Sequence, residues 1–99
     1  MKRTLVRYKA KPEQAEENQR LVEAVFRELE AKQPEDVRYL VLRLADGTFL
    51  HFVERKADGN PFEAMPAFRA FQQAIRDRVA EPPMPSDASI VGNYRMLRA

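Results

Sequence analysis

The sequence predicts an α+β domain with the element order β-α-β-β-α-β. The strongest of three supporting observations is the dipeptide Asp46-Gly47, a hairpin signature that stands between two β-rich runs. Apolar residues recur at helical spacing on both sides of that hairpin, and alternating segments lie near both ends of the chain. At 99 residues without cysteine, the chain is expected to form a single domain, 1–99, with no disulfide.

The first part of the chain predicts a strand followed by a helix. Residues Thr4 to Lys9 alternate, with Thr4, Val6 and Tyr8 on one face. The helix opens at Pro12, because proline at a first helical position loses no intrahelical hydrogen bond. Its apolar stripe, which we interpret as core packing, consists of Leu21, Val22, Val25, Phe26 and Leu29.

The hairpin fixes which side chains share a face. A two-residue turn at Asp46-Gly47 pairs Leu44 with Phe49, and cross-strand partners share a face. One face is then expected to hold Leu40, Leu42, Leu44, Phe49, His51 and Val53. The opposite face is expected to hold Tyr39, Val41, Arg43, Leu50, Phe52 and Glu54.

The second part predicts another helix and a last strand. The helix begins at Pro66, and its stripe is Phe68, Phe71, Ile75 and Val79. The proline-rich segment 81–87 predicts a stiff extended crossover, and the alternation of Ala88 to Leu97 predicts the final strand. The complete order is that of the ferredoxin-like βαββαβ fold, a four-stranded antiparallel sheet with strand order four-one-three-two and both helices on one face.

A sheet that is apolar on both faces predicts an assembly. Two helices cover one face of a small sheet, and the other face should then be polar. Here the second face still carries Tyr39, Val41, Leu50 and Phe52. Another copy of the same sheet is the simplest cover, so we expect a homodimer formed through the sheet faces.

Several classes of function are excluded by what the sequence lacks. The 17 Lys+Arg and 15 Asp+Glu are interspersed, and the third strand lacks the basic residue, glycine and final aromatic of an RNA-recognition module, so no nucleic-acid partner is expected. One histidine and no cysteine make a metal site improbable, and three glycines form no phosphate loop, so no cofactor is expected. No long apolar run is present, which indicates a cytoplasmic protein without a membrane span.

His51, the one histidine in the chain, is the candidate catalytic residue. A partly buried neutral imidazole needs a hydrogen-bond partner. Either a hydroxyl, a backbone group or water simply satisfies it, or it lines a pocket as a base or substrate hydrogen-bond donor. The residues expected to form a ligand pocket with it are Tyr8, Phe49, Phe68 and Phe71.

The element order, the opening Val6-Arg7-Tyr8-Lys9-Ala10-Lys11-Pro12 and the doubly apolar sheet resemble the dimeric α+β barrel superfamily. Within it, the chain looks most like the small proteins grouped with antibiotic-biosynthesis monooxygenases. The resemblance implies two sheets packed face to face, with a small pocket per subunit between sheet and helices. Some relatives oxygenate polycyclic aromatic substrates without metal or flavin, by binding and deprotonating a substrate that then reacts with O₂.

Other relatives degrade haem with an Asn, a Trp and a His, and the absence of tryptophan from this chain argues against that activity. Two functions therefore stay open. The first is a cofactor-independent monooxygenase-like enzyme acting on a small aromatic or enolisable metabolite, with His51 as base or anchor. The second is a non-catalytic or stress-related dimer that binds a small apolar ligand.

Overall fold

The computed structural model describes residues 1–56 and 58–97. Its strands are β1 (Lys2–Ala10), β2 (Val37–Arg43), β3 (Thr48–Arg55) and β4 (Val79–Asp87), and its α-helices are α1 (Ala15–Lys32), α2 (Pro66–Gln72) and α3 (Ile75–Arg78). Short 3₁₀ helices, Pro12–Gln14 and Pro61–Ala64, precede α1 and α2. The sheet is antiparallel with the order β2-β3-β1-β4, so the ferredoxin-like α+β fold and its strand order are confirmed.

Helix α1 begins three residues after the predicted start, because Pro12–Gln14 form a 3₁₀ helix, and it carries one unexpected polar residue on its buried face. Glu16 and Glu17 lie in the first turn and Lys32 in the last, which suits the helix dipole. The helix ends at Gln33, whose φ of 46° is left-handed and whose N–H donates to the Leu29 oxygen. The buried residues are Ala15, Asn18, Val22 and Val25.

The predicted hairpin register is wrong by one residue, because the loop has three residues rather than two. Gly47 takes a φ of +90°, and its N–H donates to the Leu44 oxygen at 3.1 Å. A turn followed by a left-handed glycine is a common three-residue hairpin loop. The pairing is therefore Val41 with His51 and Tyr39 with Val53. A slip of one residue moves every β2 side chain to the other face.

The two faces can now be assigned from the pairing of β1, β2 and β3. The face against the helices holds Thr4, Val6, Tyr8, Tyr39, Val41, Phe49, His51 and Val53. The other face, called the open face below, carries Leu5, Leu40, Leu42, Leu50 and Phe52. Both faces are apolar as predicted, but Leu40 and Leu42 stand on the open face where Tyr39 and Val41 were expected.

The predicted last strand is also wrong. The proline-rich segment Val79–Asp87 is β4, and residues 88–97 form no strand. β4 is an edge strand that pairs with β1 alone, and an edge strand tolerates prolines because one side of its backbone needs no donors. The pairing of β4 with β1 shifts register between Arg7 and Lys9, opposite the Pro82-Pro83 pair.

The second predicted helix is shorter than its stripe suggested. Helix α2 ends at Gln72, and Ala74 adopts a left-handed φ of 59° before the four-residue α3. Phe68, Phe71 and Ile75 pack against the core as expected, whereas Val79 belongs to β4. The break between α2 and α3 leaves Arg78 buried.

Replacing Gly47 with alanine should destabilise the protein by about 1–2 kcal/mol, because an L-residue is strained at a left-handed φ. The added methyl group has room, since its nearest contact would be the Ala10 oxygen at 3.5 Å. The measurement is the free energy of unfolding in urea. Gly92→Ala is the control, because Gly92 has open space around it and no left-handed φ. Equal effects of the two substitutions would contradict the observed loop.

Candidate functional site

His51 is held between two tyrosine hydroxyls on the face of the sheet that the helices cover. Its Nε2 lies 2.8 Å from the Tyr8 Oη, and its Nδ1 lies 2.6 Å from the Tyr39 Oη. Only 5% of the histidine is exposed. A buried imidazole of this kind requires partners, and here both ring nitrogens have one.

The hydrogen bonds continue from Tyr8 into helix α1. The Asn18 side-chain amide donates to the Tyr8 Oη at 2.8 Å, and the Arg78 Nε donates to the Asn18 Oδ1 at 3.2 Å. We call the connected residues Arg78, Asn18, Tyr8, His51 and Tyr39 the polar chain. It runs from α3 through α1 and β1 to β3 and β2, and so it ties together elements that are distant in sequence.

Arg78 is fixed by the end of helix α2. Its other guanidinium nitrogens donate to the backbone oxygens of Gln73, at 3.0 Å, and of Phe71. The guanidinium carbon also lies 5.3 Å from the centre of the Phe71 ring. The last carbonyls of a helix have no partner within the helix, so the break after α2 supplies the acceptors that hold this cation in place.

Burial favours the neutral forms of the three titratable groups that follow Asn18 in the polar chain, namely Tyr8, His51 and Tyr39. It lowers the pKa of His51 to about 4. It also raises the pKa of Tyr8 to about 12, against the smaller opposing effects of the Asn18 hydrogen bond and the Arg78 charge. The pKa of Tyr39 is raised by burial and by its proximity to Tyr8. At neutral pH His51 is therefore a weak base that exchanges hydrogen bonds, rather than a strong proton acceptor.

A cavity of about 770 Å³ opens between this part of the sheet and helix α2. Its apolar and aromatic lining is formed by Val6, Tyr8, Tyr39, Val53, Phe62, Phe68, Phe71 and Ile75, together with the His51 ring. More polar side chains complete it, among them Arg55, Asn60, Glu63, Arg69 and Gln72. An apolar cavity with a few convergent polar groups is typical of a small-molecule site.

Four of the five predicted site residues line this cavity: Tyr8, His51, Phe68 and Phe71. Phe49 lies behind Tyr8, with the two rings stacked at 5.5 Å between centroids. It lines instead a groove of about 860 Å³ along α1 and β2. That groove is larger, but the polar chain does not reach it, so we assign the candidate site to the His51 cavity.

Sequence reasoning missed Tyr39, Asn18, Arg78 and Phe62. Asn18 carried a usable signal, because a polar residue four positions before Val22 falls on the buried stripe of α1. Tyr39 was placed on the wrong face by the hairpin register. Arg78 carried no local signal, since its burial depends on the helix break at Ala74.

Within residues 1–56 and 58–97, no group of three or more His, Cys, Asp or Glu side chains could hold a metal ion. Over the same ranges, no helix combines the length and the apolar character needed to cross a bilayer.

Comparisons of sequence identify no relative: no protein-family model and no curated protein matches the chain. Solved structures do match. A candidate antibiotic biosynthesis monooxygenase from Nitrosomonas europaea has a TM-score of 0.71 and 16% identity, covering 91% of this chain and 89% of that chain. Rv0793 from Mycobacterium tuberculosis has a TM-score of 0.70 and 14% identity, covering 93% of this chain and 96% of that chain.

A third structure, a crystal structure of an antibiotic biosynthesis monooxygenase, has a TM-score of 0.64 and 19% identity, covering 93% of this chain and 100% of that chain. These likenesses span nearly the whole chain. The chain therefore has the ferredoxin-like α+β fold of antibiotic biosynthesis monooxygenase-like proteins, and the resemblance to this superfamily is confirmed at the level of the fold.

The lowered pKa of His51 predicts that stability falls as the solution is acidified. The unfolded chain takes up a proton near the ordinary pKa of 6.5, whereas the folded protein binds it only near about 4. The free energy of unfolding should therefore be at its full value above pH 6.5 and decrease as pH falls towards 4. The total loss is roughly 3 kcal/mol, since each pKa unit is worth ~1.4 kcal/mol.

Urea unfolding measured at neutral pH and at about pH 5 tests this expectation. His51→Gln is the matched control, because glutamine can bond to both tyrosine hydroxyls but does not titrate, while all carboxylates stay in place. A wild-type protein whose pH dependence equals that of the control would show that His51 is not buried as described.

Proposed function

We propose that this chain is a cytoplasmic homodimer that binds a small aromatic or enolisable molecule in the His51 cavity and acts on it as a cofactor-independent monooxygenase-like enzyme. One observation carries the proposal: a neutral histidine, bonded at both nitrogens to tyrosine hydroxyls, lies among the aromatic side chains of the cavity wall. The names of the similar structures support the class of reaction, and their fold is the one found here.

The aromatic lining favours a planar ligand. Phe62 and Phe68 have ring centroids 5.0 Å apart, and Phe68 and Phe71 are 6.2 Å apart, so three rings form one continuous surface. Offset or tilted packing against such rings favours another aromatic system over a flexible aliphatic chain.

The chemistry expected of this site is stabilisation of an anion. A phenol or enol reacts with O₂, the co-substrate, far more readily once it has lost its proton, which in this proposal is released to solvent through the opening of the cavity. A hydroxyl donor whose position is fixed by the protein stabilises the resulting oxyanion, because it need not reorganise when the charge appears. Since the pKa of His51 is lowered to about 4, its proposed role is to anchor the Tyr39 hydroxyl rather than to act as a strong base.

The second candidate function is binding without turnover. It is favoured by the fact that both nitrogens of His51 already have tyrosine partners, so no free imidazole nitrogen faces the cavity. Ligand binding accompanied by no O₂ consumption would identify the protein as a non-catalytic, stress-related or carrier-type dimer.

The proposed dimer is supported by the open face. Leu40 and Leu42 are 40% and 48% exposed there, beside Leu5, Leu50 and Phe52. Further apolar surface follows β4, where Ile90, Val91, Tyr94 and Met96 are exposed. Exposed apolar side chains grouped on one face of a sheet are typical of an interaction surface. A second sheet packed on it would bury on the order of 1,600 Å² in total, as in a stable interface.

His51→Ala should weaken ligand binding and abolish turnover, because it leaves both tyrosine hydroxyls without their shared partner. The measurement is binding of a panel of quinols, flavonoids and haem, followed by O₂ uptake with each binder. Glu23→Gln, which lines the groove along α1 and β2, is the control and should bind normally. Unchanged affinity and turnover in His51→Ala would remove the histidine from the site's function.

Phe52→Asp should separate or unfold the subunits, because it places an unpaired charge in the proposed interface. Sedimentation at micromolar concentration should show a wild-type dimer and a dissociation constant raised about a hundredfold or more in the variant. Ala70→Asp introduces the same charge at an exposed position of α2 and should leave the dimer intact. A well-behaved wild-type monomer under these conditions contradicts the proposed assembly.

A further inference from the structure

We infer that the cavity selects ligands that bear a carbonyl oxygen or an oxyanion. This oxygen accepts a hydrogen bond from the Tyr39 hydroxyl. This inference rests on the proposed function in one respect, namely that an aromatic molecule occupies the His51 cavity. It follows from the direction of each hydrogen bond along the polar chain, starting at the end where the direction is certain.

The direction is fixed first at Arg78. A guanidinium group only donates hydrogen bonds, so the Asn18 atom that faces the Arg78 Nε at 3.2 Å must be the carbonyl oxygen of the amide. The NH₂ group of Asn18 then points the other way and donates to the Tyr8 Oη at 2.8 Å. Arg78 thus sets the orientation of an amide that is otherwise ambiguous.

The direction of the Asn18–Tyr8 hydrogen bond determines the direction of the bond between Tyr8 and His51. Its oxygen already accepts from Asn18, and its own proton needs an acceptor because the side chain is 1% exposed. In the described part of the chain, the His51 Nε2 at 2.8 Å is the acceptor in reach. Tyr8 therefore donates, and Nε2 carries no proton.

The position of the histidine proton follows. A neutral imidazole carries one N–H, which must then be on Nδ1. The Nδ1–H donates to the Tyr39 Oη at 2.6 Å. The opposite tautomer would make Tyr8 accept two hydrogen bonds and leave its buried proton without an acceptor.

Tyr39 is the last residue of the polar chain, and its hydroxyl can still donate one hydrogen bond. Its oxygen accepts from His51, no other hydrogen bond of this hydroxyl is found among the described residues, and the side chain lines the cavity. A bound molecule extends the polar chain beyond Tyr39 only if it supplies an oxygen that accepts the hydrogen bond of the Tyr39 hydroxyl. A phenolate or enolate does so, and so does a quinone-type carbonyl, which is the form that oxygenation of a phenol leaves behind.

The tautomer can be measured directly in the free protein by nitrogen-15 NMR. His51 is the one histidine in the sequence, so both ring-nitrogen signals belong to it, and their couplings to the carbon-bound ring protons distinguish Nδ1 from Nε2. At neutral pH we expect a protonated Nδ1 and a bare Nε2. A protonated Nε2 overturns the inference, whatever the ligand is.

Asn18→Asp tests the positioning role of Asn18 with the same measurement. The variant keeps the size of the side chain and an acceptor for Arg78, but it replaces the donor to Tyr8 with an acceptor. Tyr8 should then donate to the new carboxylate and accept from the histidine, so we expect the tautomer to change to a protonated Nε2. A variant that keeps the Nδ1–H form overturns the assignment of direction to Asn18 and Arg78.

Fluorenone and fluorene test the ligand preference, because they share the same rings and only fluorenone has a carbonyl oxygen. We expect fluorenone to bind about tenfold more tightly, as one hydrogen bond allows, with its carbonyl stretching band moved to lower frequency. Tyr39→Phe should remove both the preference and the band shift while fluorene binds as before.

The outcomes separate the two proposals. Equal binding of fluorenone and fluorene by the wild-type protein overturns the selection by Tyr39 and leaves an aromatic-binding cavity standing. A preference for fluorenone that survives in Tyr39→Phe also overturns it. Failure of both compounds to bind overturns the inference together with the proposed function.

Discussion

The Tyr8 side chain is 1% exposed, and the rest of the site depends on satisfying the hydrogen bonds of its hydroxyl. A buried hydroxyl without partners is costly, so the chain places Asn18 on the apolar stripe of α1 and His51 in the middle of β3. Asn18 in turn requires Arg78, and Arg78 requires the open carbonyls that end α2. The break after α2 is therefore part of the site and not an irregularity beside it.

In the proposed function, the face of the sheet against the helices forms the ligand site and the open face forms the dimer interface. On the helix side, His51 is bonded to the hydroxyls of Tyr8 and Tyr39, and these three side chains line the cavity beside Phe62, Phe68 and Phe71. On the open side, Leu40 and Leu42 are 40% and 48% exposed, while Glu54, 3% exposed, is paired with Arg3 and Arg38. A face that is apolar at its centre and carries paired charges at one end suits a specific partner such as a second copy of itself.

The sequence was sufficient for the order of elements, the stripe of α1 and the apolar character of both sheet faces, because these follow from local periodicity. It was insufficient for the hairpin register, because Asp46-Gly47 fits a two-residue turn as well as the observed three-residue loop. The predicted two-residue turn placed Tyr39 on the wrong face of the sheet. The prolines of segment 81–87 predicted a crossover rather than a strand. The segment is nevertheless part of β4, because an edge strand tolerates prolines. Arg78 could not be found locally, because its partners come from α1 and the end of α2.

The central claim is that the polar chain ends at a ligand site on the Tyr39 hydroxyl. A crystal structure of the protein with fluorenone bound tests it most directly. We expect the aromatic rings of fluorenone to pack against Phe62, Phe68 and Phe71, with its carbonyl oxygen within hydrogen-bonding distance of the Tyr39 Oη. Rings bound in the groove along α1 and β2, or an oxygen directed away from Tyr39, would contradict it.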